Sequence, residues 1–317
     1  MSKKLEDRIE QLRHLRTAPI EGDVAAILKK SLSDRSNLIV AESARTIGEL
    51  HLAVLLPDLL SAFDKLFFDP VKNDPKCKGK TAIVKALAQL DYSDSAPFVR
   101  GARHVQMEPV YGGKEDSAAH LRGNCVLTLV QCTDLRRFEV LAYVVDALSD
   151  PADPVRIEAV RALHQLGGDE STLLLRLKVR LGDPRPLIIG HAFDALLNLE
   201  SNRALPLVAE YLKSANEELR DEAALALGAS RLPNALTLLI EAWKEVRNDD
   251  FEGILLRAIS SSRLDEAIQF LIDLVKTGSR RQSAAALEAL KLHEDSPEIQ
   301  TLVEQAKTIA TSKRGNS

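Results

Sequence analysis

Residues 153–163 read Asp153-Pro154-Val155-Arg156-Ile157-Glu158-Ala159-Val160-Arg161-Ala162-Leu163. Val155, Ala159 and Ala162, with Leu163 beside them, are separated by three, four and seven positions, which is one face of a helix with about 3.6 residues per turn. Alanines in the middle of that stripe let helix axes approach closely, and larger aliphatic residues beside them fill the gaps between layers.

The same stripe recurs along the whole chain. An apolar pair preceded three residues earlier by a small or apolar residue appears as Ser43 with Thr46-Ile47, Ile83 with Ala86-Leu87, Cys125 with Thr128-Leu129 and Ala159 with Ala162-Leu163. It continues as Ala192 with Ala195-Leu196, Ala223 with Ala226-Leu227, Leu255 with Ala258-Ile259 and Ala286 with Ala289-Leu290. Successive pairs are 40, 42, 34, 33, 31, 32 and 31 residues apart, so the period is stretched in the first half and regular in the second. Seven residues before each pair stands Ile39, Leu121, Val155, Ile188, Leu219 or Phe251, with Gly79 and Gln282 as the exceptions. A second amphipathic segment falls between these helices, as at 135–148, 172–181, 204–212, 234–246 and 265–275. Turn signals such as Ser149-Asp150-Pro151, Gly182-Asp183-Pro184 and Gly278-Ser279 separate the segments. No period-two alternation bounded by hairpin turns is present, which predicts no sheet. The pattern therefore predicts an all-α chain of about eight stacked antiparallel helix pairs, each too thin to bury its own apolar faces. Its expected organisation is a capping helix over 1–19, one continuous repeat domain over 20–311 with an irregular loop at 105–116, and a flexible tail at 312–317.

The 153–163 unit resembles the second-helix signature of HEAT repeats, in the short-period subtype also found in phycobilin-lyase-like proteins. Residues 217–228 repeat it, and residues 36–50 carry it with Val40 where arginine is usual. The resemblance implies a right-handed α-solenoid whose second helices line a concave face used to hold another macromolecule. Some proteins of similar architecture are enzymes. Deoxyhypusine hydroxylase resembles this chain in length and repeat type, but holds its di-iron centre through several His-Glu dipeptides, whereas here His293-Glu294 is the single such pair. No distinctive bilin motif is visible, and Trp243 is the only tryptophan, which leaves little for a base-recognition groove. The expectation is a non-enzymatic scaffold without cofactor or metal, and the alternative is a modification enzyme of the hydroxylase or bilin-lyase type.

Composition sets further bounds. The 317 residues are 45% hydrophobic and 28% charged with a net charge of −4, enough apolar matter for a large core and no cationic field to draw nucleic acid or an anionic membrane. Residues 1–16 carry frequent charges, and the most apolar run, Leu52 to Leu60, is interrupted by Pro57 and Asp58 and far shorter than the roughly 20 residues that span a bilayer. Cys77, Cys125 and Cys132 form an odd set without a CxxC pair, which suits reduced thiols in a cytoplasmic protein.

Two files of basic residues recur on the inner helices. Lys80, Arg122, Arg156 and Arg220 stand six residues before the aligned pair, and Arg45, Lys85, Arg161 and Arg257 stand one residue before it. They read either as a groove for the acidic segment of a protein partner or as ties between repeats through carboxylates such as Asp150, Asp153, Glu158 and Asp183. His164 and His191 fall on inner helices of successive repeats. Met107, Val110 and Tyr111 give the 105–114 segment apolar anchors beside Gly112-Gly113, either as part of an interaction surface or as a variable loop. The candidate partner-binding set is thus Lys80, Lys85, Arg122, Arg161, His164, His191, Met107, Val110 and Tyr111. Asp116, His120 and Asn124, four apart at a helix start, with Cys125 and Cys132 seven apart on the same expected helix, could in principle recruit a metal, but Cys125 occupies a core position and Asp116 or Ser117 reads as a helix cap.

Overall fold

The structure, a computed structural model, describes residues 3–17, 24–246 and 249–315. The chain forms two compact units, Met1–Leu166 and Gly167–Ser317. Unit 1 holds α1 (Lys3–His14), α2 (Val24–Ser31), α3 (Asn37–Glu49), α4 (Leu56–Leu66), α5 (Pro70–Asn73), α6 (Lys78–Gln89) and α7 (Ala96–Ala102). The strands β1 (Met107–Val110) and β2 (Gly113–Asp116) follow, then α8 (Ala119–Leu129), α9 (Arg137–Leu148) and α10 (Asp153–Leu166). Unit 2 holds α11 (Gly168–Leu181), α12 (Pro186–Glu200), α13 (Leu205–Glu210), α14 (Glu217–Ala229), α15 (Pro233–Glu245), α16 (Asp249–Ser261), α17 (Asp265–Thr277), α18 (Arg280–Leu290) and α19 (Pro297–Gly315). The fold is all-α, built from stacked helix pairs.

All eight aligned pairs fall on helices of one layer in their unit, and each pair is buried together with the residue three before it. In unit 1, α3 packs on α6, α6 on α8 and α8 on α10; in unit 2, α12, α14, α16 and α18 pack in the same succession. The remaining helices lie against these, as α9 does on α10 and α17 on α18. The period of about 32 is therefore the spacing of one inner helix from the next. Where axes come closest the sequence supplies glycine. A Cβ placed on Gly228 of α14 would stand 2.2 Å from the backbone oxygen of Ala258 on α16. Five inner helices end on a residue other than glycine with positive φ: His51, Asp91, Ser201, Arg231 and Arg263, with φ between 50° and 55°. After α3 and α6 the next amide closes the turn, Leu52 N donating to Ile47 O and Tyr92 N to Leu87 O, as in a Schellman cap.

Two expectations are corrected. The 105–116 segment is a β-hairpin, with Met107 opposite Asp116, Val110 opposite Gly113 and a two-residue turn at Tyr111-Gly112, where Gly112 has φ +88°. A sheet is thus present, formed by two four-residue strands. Cys132 lies beyond α8 and does not share that helix with Cys125, because α8 ends at Leu129. Residues 18–23, at the expected join between capping helix and repeats, lie outside the described residues, as do Asn316 and Ser317 at the end of the expected tail.

If the glycine approach sets the spacing of α14 and α16, Gly228→Ala destabilises unit 2 by about 1–3 kcal/mol, through overpacking that outweighs the gain in helix propensity. Urea denaturation followed by circular dichroism reads this directly. A neutral or stabilising substitution contradicts the close approach.

Candidate functional site

The first basic file is interior. Lys80 on α6 is 0% exposed. Its ammonium donates to Gln106 Oε1 at 2.8 Å and Leu66 O at 3.3 Å, stands 3.4 Å from Asp74 Oδ2 and lies 5.2 Å from the centre of the Phe67 ring. Asp74 is buried too; its carboxylate accepts from the backbone N–H groups of Gly79 and Lys80 and from Asn37 Nδ2 on α3. Arg122, on α8, has a side chain only 5% exposed. It pairs with both oxygens of Asp150 from the loop before α10, with Asp116 at the end of β2, and donates to His104 O. Arg156, on α10, donates to Asp150 O, Pro151 O and Asp153. A cation out of water must be met in this way, because its desolvation is offset only by a full set of acceptors. Lys80 and Arg122 are therefore corrected: they tie repeats together, and burial keeps them from a partner's surface.

Gln106 joins this network to the hairpin. Its Oε1 accepts from Lys80 and from Cys77 Sγ, its Nε2 donates to Asp74 O and Glu108 Oε1, and its N–H donates to Asp116 Oδ1. Glu108 Oε1 also accepts from Ser117 Oγ and the Lys76 N–H. Burial pushes Glu108 and Asp116 upward. Around Glu108 the donors Ser117, Gln106 and Lys76 outweigh that penalty, and around Asp116 the N–H groups of Gln106 and Ala118 with Arg122 do so. Both carboxyls sit below their ordinary range. Burial holds the His104 imidazole below its usual value, against the opposing effect of Gln106, and raises the Cys77 thiol to about 11, so it is an unreactive thiol at neutral pH. The neighbouring chain is strained where it turns to deliver these groups: Asp69, Lys76 and Cys77 all have positive φ.

The far side of the hairpin is bare. Met107 and Val110 are exposed, and Tyr111 is 108% exposed, while the base of the hairpin is held by partly buried bonds. The second basic file is also at the surface. Arg45, Lys85 and Arg161 are exposed in unit 1, and Arg257 in unit 2. Arg161 is 52% exposed and bonds Glu158 within its own helix at 2.9 Å. Lys85 lines a shallow cavity of about 280 Å³ with Gln89, Asn124, Gln131 and Gln165. His164, next to Gln165 on α10, is exposed, whereas His191 is half-buried on α12 and belongs to unit 2.

Unit 2 carries a different charge on its inner helices. Burial raises Asp194 of α12 to about 6, and burial with Asp194 as a neighbour raises Glu222 of α14. Among the described residues, no group of three or more His, Cys, Asp or Glu side chains is arranged to hold a metal ion. Cys125 is fully buried, and burial raises its thiol far out of the reactive range. His293, of the single His-Glu pair, has Nε2 3.1 Å from the hydroxyl and carbonyl oxygens of Ser260. Among the described residues, no helix is long and apolar enough to cross a membrane.

Stacked helix pairs with a recurrent buried cation on the inner helix define a helical-repeat protein. A family profile of HEAT repeats matches residues 174–260, from within α11 to the end of α16, and the chain carries HEAT repeats there. No curated protein sequence matches the chain. Among solved structures, human deoxyhypusine hydroxylase in complex with glycerol is similar at 21% identity, covering 81% of this chain and 90% of that one with a TM-score of 0.31. An engineered protein is similar at 14% identity over 96% of this chain and 98% of its own, with a TM-score of 0.32.

Two outcomes test the assignment of interior and surface cations. Arg122→Glu lowers the stability of unit 1 by about 3–5 kcal/mol or abolishes its folding. Arg161→Glu changes stability by less than about 1 kcal/mol. Acid should release the hairpin in two stages. His104, whose folded value is lowered, opposes folding once pH falls below its ordinary value of about 6.5; Glu108 and Asp116 contribute fully only above their ordinary values, the higher of which is 4.5, and lose that contribution as pH falls through their lowered folded values. Hydrogen exchange at residues 106–117, corrected for intrinsic rates, reads both stages. Protection that stays flat to pH 3 contradicts the network.

Proposed function

We propose that the protein is a non-enzymatic interaction scaffold that captures a protein partner carrying an acidic segment. The hairpin residues Met107, Val110 and Tyr111 supply apolar contacts, and Lys85, Arg161 and His164 supply the polar inner-helix contacts. The observation that carries this reading is the hairpin: a polar network around buried Gln106 fixes its base while its apolar tip is left in water. Clustered exposed apolar residues on a fixed support are the usual mark of a contact surface, since pre-organisation lowers the entropy lost on binding. The surface cations suit the same role. The bond from Arg161 to Glu158 is exposed and worth at most about 1 kcal/mol, so a partner's carboxylate exchanges for it readily. HEAT repeats at 174–260 accord with a scaffold, because such stacks present long surfaces for other macromolecules.

Immobilised protein, presented with a native lysate, tests the two contact elements separately. The double variants Met107→Ser/Tyr111→Ser and Lys85→Glu/Arg161→Glu both stay folded, and each loses at least about 1.4 kcal/mol, or tenfold, in affinity for the species that the unaltered protein retains. Capture of the same species at undiminished affinity by both variants contradicts the reading.

A further inference from the structure

Arg220 on α14 occupies the same repeat position as Lys80, Arg122 and Arg156, but it lacks their partners. Arg156 finds acceptors six, five and three residues earlier, at Asp150, Pro151 and Asp153. The corresponding residues before Arg220 are Ser214, Ala215 and Glu217, and the nearest carboxylate oxygen, on exposed Glu217, stands 3.8 Å away. The side chain is 19% exposed, its Nε is buried with no hydrogen-bond partner, and its guanidinium lies 4.3 Å from the centre of the Phe251 ring. Arg220 also lines a cavity of about 500 Å³ inside unit 2. Leu212, Leu238, Ala242, Val246 and Phe251 give that cavity apolar walls. Lys213, Glu241 and Glu245 complete its lining; all three are exposed, and Lys213 stands 3.5 Å from Glu245.

We infer that this cavity binds an amphipathic monocarboxylate, a small organic acid with a flexible apolar body, with its carboxylate on Arg220. A partly buried guanidinium without acceptors carries a desolvation penalty that a carboxylate relieves through two parallel N–H···O bonds. The volume is that of a small-molecule site, and apolar walls with one convergent polar group are the usual lining of one. The charges also select the class. At the exposed rim Lys213 offsets Glu245, which leaves Arg220 inside and Glu241 at the rim, so one carboxylate is matched on Arg220 and no unpaired cation remains for a second negative charge. This site lies wholly in unit 2 and does not depend on the partner-binding reading of unit 1.

Octanoate is the probe and 1-octanol its neutral counterpart, each titrated into the full chain by calorimetry, with Trp243 fluorescence as a second readout. Octanoate should bind saturably in the sub-millimolar range, and 1-octanol at least about tenfold more weakly, a charge-assisted pair being worth about 1.4 kcal/mol or more. Arg220→Gln, which has no hydrogen bond to lose, should weaken octanoate by about tenfold or more while circular dichroism stays unchanged. Ala242→Phe, which fills the cavity and leaves Arg220 in place, should weaken it similarly. The inference is overturned if folded protein shows no saturable binding at millimolar octanoate. It is equally overturned if Arg220→Gln binds octanoate within about twofold of the unaltered protein, or if 1-octanol binds as tightly.

Discussion

A cation placed inside a stack of helices must be surrounded by acceptors, and in unit 1 that requirement shapes everything around it. Lys80, Arg122 and Arg156 stand on successive inner helices, and each draws acceptors from the segment that precedes its own helix. Arg122 also reaches Asp150 in the loop of the next repeat. Each cation therefore closes its own repeat, and Arg122 fastens the following one. The stretched spacing of the first half follows from the same need. The extra residues before α6 deliver Asp74, and those before α8 deliver Gln106 and Asp116. A regular connection of the kind seen before α10 is too short to carry them.

The hairpin is a by-product of this arrangement. Four residues per strand make a ribbon that is marginal by itself in water. Here Gln106 and Asp116 at its base, with Glu108 on β1, bind α6, α8 and the chain before them, so the ribbon is held at one end and free at the other. Tyr111 at the free end gains a fixed position without being buried. In unit 2 the corresponding cation, Arg220, meets no such insertion, and a cavity stands where acceptors would be.

Much of the fold was legible because the Ala-Leu pairs mark a buried stripe that no other element produces. All eight inner helices lie where those pairs placed them. The two basic files looked alike as sequence, yet helix geometry separates them. At about 100° per residue, a position six before the pair falls on the flank of the buried stripe, and one immediately before it falls nearly opposite. That angular difference is a signal present in the sequence for placing Lys80 and Arg122 inside and Arg161 outside. The hairpin was harder to see. Met-Glu-Pro-Val alternates over only four residues and contains a proline, although Tyr111-Gly112-Gly113 is a turn signal. Asp74 and Gln106 had no local mark at all, since their partners are long-range and polar residues in irregular segments usually face water.

The claim on which the rest stands is that the buried cations Lys80 and Arg122, six residues before their aligned pairs, tie repeats together. A double-mutant cycle on Arg122→Met and Asp150→Asn, read by urea denaturation of unit 1, measures that tie without reference to any partner. The account predicts a coupling energy above about 1.5 kcal/mol between the two positions. Additivity within about 0.5 kcal/mol would contradict it.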